Sequence, residues 1–215
     1  MKQQQLKQLF LLAFLGLVIG LTPASYANSA DLSEPQLAIE NASNKLKVQL
    51  QDETFTQDFA KINLFVEDVI EPHMDFGRIS ALVLGKLWRK ASKDEKVGFK
   101  KEFKTLLVRT YSRAFVDFKD WSVRYLPLKI KEGAKKIIVK TEILQPGVQP
   151  LAVNYRMLLT KGKWKVYDIM IEGVSLVTNY RTSIKTEFKK TGSLKAVIDG
   201  LATRNTAALK AKSNS

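Results

Sequence analysis

The chain reads as an α+β protein, with a twisted antiparallel sheet of about four strands packed against several helices. Three observations predict this. Between Trp121 and Ile171 apolar residues recur at every second position, the period of a strand. Before and after that stretch they recur at three- and four-residue spacing, the period of a helix. The pairs Pro146-Gly147 and Lys161-Gly162 divide the alternating stretch where strands must reverse.

The first helix is expected over Asp31–Leu50. Ser33 can cap it, Pro35 is tolerated in the first turn, and Gln36 completes the spacing of a capping box. Its stripe of Leu37, Ala38, Asn41, Lys45 and Val48, with Leu46 and Leu50, is mixed. A second helix, Phe55–Ile70, has a broad apolar face of Phe55, Phe59, Ile62, Phe65, Val66, Val69 and Ile70, and Pro72 ends it. After a crossover in which Asp75 can act as a cap, Ile79–Ala91 reads as a third helix. Ser92 and Glu95 then have capping-box spacing for the longest helix, whose apolar side runs from Phe99 through Phe103, Leu106, Leu107 and Tyr111 to Phe118.

The strands follow. The first surrounds Val123 and Tyr125 and ends near Pro127, and the second covers Lys135–Leu144 with Ile137, Val139, Thr141 and Ile143 on one face. In the hairpin beginning at Val153, Tyr155, Met157 and Leu159 share one side. Across the Lys161-Gly162 turn, Trp164, Val166, Asp168 and Met170 form the matching set. From Gly173 the period returns to helical, with Leu176, Val177, Tyr180, Ile184 and Phe188 on one stripe. A last helix starts near Ser193.

The first 27 residues stand apart. A basic start, an apolar run from Leu9 to Leu21 and an exit of small residues ending at Ala27 have the form of a secretory signal peptide. The run is short for a membrane span, which needs about 20 residues. Residues 28–215 then form one domain, large enough to bury a core without disulfides. The chain has no cysteine, which excludes disulfides, thiolate metal sites, a cysteine nucleophile and a lipidated N-terminal cysteine.

The formal charge is +14, falling to +12 once Lys2 and Lys7 leave with the signal segment. The basic residues are scattered from Lys45 to Lys212. An exported chain of this kind is expected to approach anionic membranes or acidic protein faces, not nucleic acid.

Catalytic groups are scarce. His73 is the only histidine, which excludes a multi-histidine metal site, and neither a nucleophile elbow nor a phosphate-cradling glycine loop occurs. Asp168 and Glu172 are an even number of residues apart and could point the same way as an acid pair. Their simpler roles are to accept hydrogen bonds or an arginine (Asp168) and to orient the turn before the helix (Glu172). The aromatic and aliphatic inventory is compatible with a filled core or with a lined cavity, because both use the same side chains.

Two blocks carry a resemblance. The hairpin GKWKVYDI leads into IEGVSLVTNYR (Ile171–Arg181), and HMDFGRISALVLGKLWRKASKDEKVGFKKEFKTLLVRTYSRAF runs from His73 to Phe115. Together they resemble the MlaC family, also called toluene-tolerance or auxiliary transport proteins, over essentially the whole chain after residue 27. The resemblance implies a monomeric, soluble periplasmic carrier that holds the acyl tails of a glycerophospholipid in an apolar cavity between sheet and helices. It also implies exchange with an outer-membrane lipoprotein–porin complex and with an inner-membrane ABC transporter bearing MCE domains. It implies, too, that such a carrier maintains outer-membrane lipid asymmetry, performs no catalysis and needs neither metal nor cofactor. On this reading the tail contacts are Val139, Ile143, Val153, Tyr155, Met157, Val166 and Met170 from the sheet, with Leu106, Tyr111, Val177 and Tyr180 from the helices. Arg109 and Arg181 are phosphate or mouth candidates. Trp88, Asp168, Glu172 and Asn179 are read as architectural or mouth-lining.

Overall fold

The computed structural model describes residues 32–52, 54, 55, 58–117 and 120–213; the expected signal peptide lies outside them. Helix α1 spans Glu34–Gln49 and α2 spans Phe59–Phe65. The chain continues through a π-helical segment, Val66–Ile70, and a 3-10 turn, Glu71–His73. Then come α3 (Phe76–Leu84), α4 (Lys86–Lys90) and the long α5 (Lys93–Asp117). Strands β1 (Ser122–Tyr125), β2 (Lys136–Gln145), β3 (Val148–Thr160), β4 (Lys163–Ile171) and β5 (Val174–Ser175) follow. The chain closes with α6 (Leu176–Thr191) and α7 (Leu194–Ser213).

The five strands form one antiparallel meander in chain order. The fifth strand is only two residues long, hidden in the sequence by the helix that begins immediately after it. The β3–β4 reversal places Lys161 and Gly162 at φ 50° and 74°, the left-handed pair that a two-residue hairpin requires.

The caps appear where the spacing places them. The Ser33 backbone N–H donates to Gln36 Oε1 at 3.0 Å. Ser92 N–H donates to Glu95 Oε2 at 2.8 Å, and Glu95 N–H donates to Ser92 Oγ at 3.1 Å. Asp75 Oδ1 accepts from Arg78 N–H at 2.9 Å.

Three local expectations change. The helix expected over Ile79–Ala91 is two helices, because Gly85 adopts φ 57° and breaks the ladder between them. The second expected helix is helical at Thr54 and Phe55, starts afresh from an Asp58 cap and widens to π geometry before Pro72, which has no N–H to continue it. Lys104 secures this irregular segment to α5, its Nζ lying 3.0 Å from Glu67 and 2.9 Å from Glu71. Burial works against the Lys104 charge, but the two carboxylates prevail and raise its pKa. Finally, α1 buries Pro35, Gln36 and Ile39, while Leu37 and Val48 of the expected stripe are exposed. Gln36 Nε2 donates to Leu126 O at 3.0 Å, so a polar residue fixes the helix to the end of β1.

The largest correction concerns the face of β4. Its pairing with β3 shifts register between Arg156 and Met157: Met157 lies opposite Val166, but Arg156 lies opposite Asp168. Tyr167 is the extra residue of a β-bulge. Beyond it the alternation inverts. Trp164 and Val166 share the face of Met157, whereas Asp168 and Met170 lie on the face of Arg156 and Asn154. Outside the bulge Met74 pairs with Val166 in a parallel bridge, and Asp75 N–H donates to Val166 O at 2.8 Å.

Candidate functional site

One face of the sheet carries Val123, Tyr125, Ile137, Val139, Thr141, Ile143, Leu151, Val153, Tyr155, Met157, Leu159, Trp164, Val166, Ile169 and Ile171, as the strand registers require. This face is uneven. At one end Val139 and Met157 are 0% exposed and Val166 is 3% exposed, packed with Trp164 under Leu32 and Ile39 of the α1 region. Toward the β2–β3 turn, Ile143, Leu151 and Ile171 are only half-buried, although they are equally apolar, and so are Tyr155 and Ile169 in register with Val139.

The helices have their own core. Phe76, Ile79, Val83, Phe99, Phe103, Val177, Ile184 and Val197 form it, with Leu106, Leu107 and Tyr180 half-buried at its margin. A third cluster joins Phe55 and Ile62 to Val108 on the other side of α5. A domain of this size ordinarily has one continuous apolar core. Here, among the described residues, there are three, and Met74 packs against both the sheet cluster and the helical one.

Tyr155 lies opposite Val139, within the packed part of the face. Burial pushes its hydroxyl up to about 12, against the lowering effect of its hydrogen bond with Thr141. Yet the residue keeps accessible surface. Its ring packs against the buried cluster that contains Val139, Met157 and Val166. Thr141 Oγ1 also donates to Val153 O at 2.7 Å. Tyr125 lies beside Tyr155; burial raises its pKa, opposed by Ser43 of α1. This patch of hydroxyls in an apolar face was not singled out from the sequence. The signal was Thr141, the one polar residue in the alternating face of β2.

On the helical side, burial raises the pKa of Tyr111, and its hydrogen bond to Tyr180 adds to the rise. Tyr180 also meets the Phe103 ring edge-on, with centroids 5.1 Å apart. Tyr111 and Tyr180 therefore tie α5 to α6.

The expected tail contacts thus divide by environment. Ile143, Tyr155, Leu106, Tyr111 and Tyr180 keep accessible surface, while Val139, Val153, Met157, Val166 and Val177 are buried. Met170 is separated from Val166 by the bulge and lies opposite Asn154 and Ser175. Arg109 follows the buried Val108 on α5 and is half-buried. Arg181 is exposed, and its Nε donates to Leu82 O at 2.6 Å, joining α6 to α3.

Asp168 and Glu172 do not form an acid pair. Asp168, 4% exposed, accepts from Arg156 Nη1 at 3.2 Å, Ser175 Oγ at 2.7 Å and Val177 N–H at 3.1 Å. Ser175 in turn accepts from Thr178 N–H at 3.1 Å as the cap of α6. Ser175 and Val177 belong to the joint between β4 and α6 and Arg156 to the neighbouring β3, so the carboxylate is a fastening. Glu172 stands at φ 48° in the β4–β5 turn, and its Oε1 accepts from Ala152 N–H at 2.6 Å. Among the described residues no group of histidine and acidic side chains could hold a metal ion. No described helix is long and apolar enough to cross a membrane.

The MlaC protein family model matches residues 40–203. The chain belongs to the MlaC family. Among curated MlaC-type relatives, the intermembrane phospholipid transport system binding protein MlaC of Haemophilus influenzae is 25% identical over 150 residues, 67% of this chain and 70% of that protein. The toluene tolerance protein ttg2D of Pseudomonas putida is 25% identical over 149 residues, covering 68% and 69%. The phospholipid-binding protein of Ralstonia solanacearum, solved in complex with a phospholipid, superposes with a TM-score of 0.75 at 24% identity. That match covers 82% of this chain and 99% of the other, and establishes a shared fold.

Proposed function

We propose that this chain is a soluble periplasmic phospholipid carrier that shuttles glycerophospholipid between membrane complexes of the Mla pathway. The observation that carries the reading is the divided core: an apolar sheet face, solid beneath α1, gives way toward the β2–β3 turn to the half-buried Ile143, Leu151 and Ile171. The named function of the Haemophilus influenzae relative and the lipid bound by the Ralstonia solanacearum protein support it.

Physical chemistry gives an apolar enclosure a purpose. Two acyl chains hold on the order of 28 methylene groups, and each costs about 0.8 kcal/mol in water, so transfer through water faces roughly 20 kcal/mol without an apolar enclosure. The enclosure does this by binding alone. Ile143, Tyr155, Leu106, Tyr111 and Tyr180 line the tail site, and the buried Val139, Val153, Met157 and Val166 form the packed floor beside it on the same face. Arg109 and Arg181 stand near the phosphate at the mouth, where partial hydration limits the cost of burying charge.

An N-terminal segment of 27 residues directs export and is removed, leaving residues 28–215 as one lipid-binding domain. The partners are an outer-membrane lipoprotein–porin complex and an inner-membrane MCE-domain ABC transporter, between which the monomeric carrier maintains lipid asymmetry. Native mass spectrometry of the exported protein, followed by lipid extraction, tests the central claim. Near-stoichiometric phospholipid is expected; protein that remains empty after incubation with phospholipid vesicles refutes it.

A further inference from the structure

The positive charge of this chain is concentrated where the fold brings two helix corners together. Residues 86–101 and 185–195 contain eleven lysines and arginines against three acids. That surplus of eight is more than half of the chain's formal +14. The first corner is α4 with the start of α5; the second is the end of α6 with the start of α7.

Packing makes them neighbours. A Cβ at Gly98 would meet Ile198 Cγ2 at 3.5 Å, and Asn205 Nδ2 donates to Glu102 O at 2.9 Å, so α5 and α7 run side by side in the same direction. Ala91 and Leu194 belong to the same buried cluster, with Leu87, Trp88 and Phe188 packed against it. The charges remain outside: Lys86, Arg89, Lys90, Lys93, Lys189 and Lys190 are all exposed. Two of the three acids are already engaged, Glu95 by the Ser92 N–H and Glu187 by Arg204. Lys93 lies thirteen residues before Leu106 on α5, about 20 Å along the helix from the half-buried tail contacts.

We infer that this basic pole is a docking surface for anionic phospholipid headgroups at a bilayer face. The composition favours lipid over an acidic protein. Ten of the eleven cations are lysine, a compact hydrated charge suited to phosphate surfaces, whereas protein interfaces are depleted in lysine and are anchored by arginine and aromatic groups. The tryptophan in these two segments, Trp88, is half-buried, with Lys96 Nζ 5.6 Å above its ring. The exposed Val97 stands on the same α5 face as Lys93 and Lys101, an apolar side chain able to enter a headgroup layer. This surface is separate from the tail site, and the inference does not rest on lipid carriage.

Flotation of the processed, purified protein with vesicles tests it, comparing phosphatidylcholine alone with phosphatidylcholine containing 30% phosphatidylglycerol (about 30%, a common anionic fraction) at low and high salt. The wild type binds the anionic vesicles at low salt, is released at high salt and ignores the neutral ones. The variant Lys86→Glu/Arg89→Glu/Lys90→Glu/Lys93→Glu binds at least about tenfold more weakly, given the roughly fivefold contribution of a single lysine near an anionic surface. A second variant, Lys185→Glu/Lys189→Glu/Lys190→Glu, is also weakened. Both keep the wild-type circular dichroism and the wild-type content of extracted phospholipid, which separates this test from that of the carrier reading. Equal binding to neutral and anionic vesicles overturns the inference, as does unchanged binding by both variants.

Discussion

Two truncations on the same sheet face test the divided core directly. Met157 is 0% exposed and packed on all sides, so Met157→Ala leaves a hole and is expected to cost 2–5 kcal/mol, about the range for large-to-alanine changes in cores. Ile143 lies on the same face but is half-buried. Ile143→Ala removes three carbons of which only the lesser part of the surface is exposed, so the loss is about 1.5–2 kcal/mol at 0.8 kcal/mol per carbon, the low end of the range for a filled core. The comparison must be made on delipidated protein, because bound ligand adds stability by mass action. Urea unfolding supplies both values, and the slope of the transition checks that each variant unfolds from the same compact state. The replacement Ile143→Trp completes the test: in a void it is tolerated within about 1 kcal/mol, whereas overpacking a filled core costs about 1–3 kcal/mol. It is also expected to lower the phospholipid content. If Ile143→Ala costs as much as Met157→Ala, and Ile143→Trp unfolds the protein, the open end is solid and the reasoning fails.

Other outcomes follow from individual residues. Asp168→Ala strands two donors at the β4–α6 joint and is expected to cost about 2–4 kcal/mol, whereas Arg156→Ala, removing the more exposed partner, costs about 1 kcal/mol or less; chemical denaturation of both ranks them. His73 is the chain's only histidine, and burial, then Lys45 and Lys165, hold its pKa below the usual 6.5. The unfolded chain therefore binds the proton more readily, and stability falls as pH drops below about 6.5. His73→Gln is expected to flatten that dependence in urea titrations at successive pH values. Lys161→Asn places a residue tolerant of left-handed geometry at φ 50° and is expected to stabilise the protein by about 0.5–1 kcal/mol in thermal unfolding, with lipid content unchanged.

The helices, the hairpin turns and the caps were legible because each depends on residues close together in the chain. Ser92 and Glu95 identify their own capping box, and Lys161-Gly162 its own reversal. The faces of β4 were not legible past Tyr167. The bulge there is stabilised by contacts from far away, the Met74 bridge to Val166 and the Asp168 bonds to Ser175 and Val177, and strict alternation cannot anticipate an extra residue. For α1, burial of Gln36 was decided by a carbonyl ninety positions away, so the apolar stripe pointed to the wrong side. The candidate site was half legible for a related reason. Period 2 identifies which residues share the inner face, but whether α1 covers Val139 and leaves Ile143 less covered is settled only by where that helix comes to rest.

The fastening at Asp168 has a mechanical consequence. With Ser175 Oγ and the Val177 amide both gripping one carboxylate on β4, the first turn of α6 cannot leave the sheet without breaking charge-assisted bonds in a dry setting. That end is the fulcrum. Any parting of helix from sheet must swing about it, with its amplitude growing toward the far turns of α6, so a cargo too bulky for the resting molecule would enter from the side remote from β5.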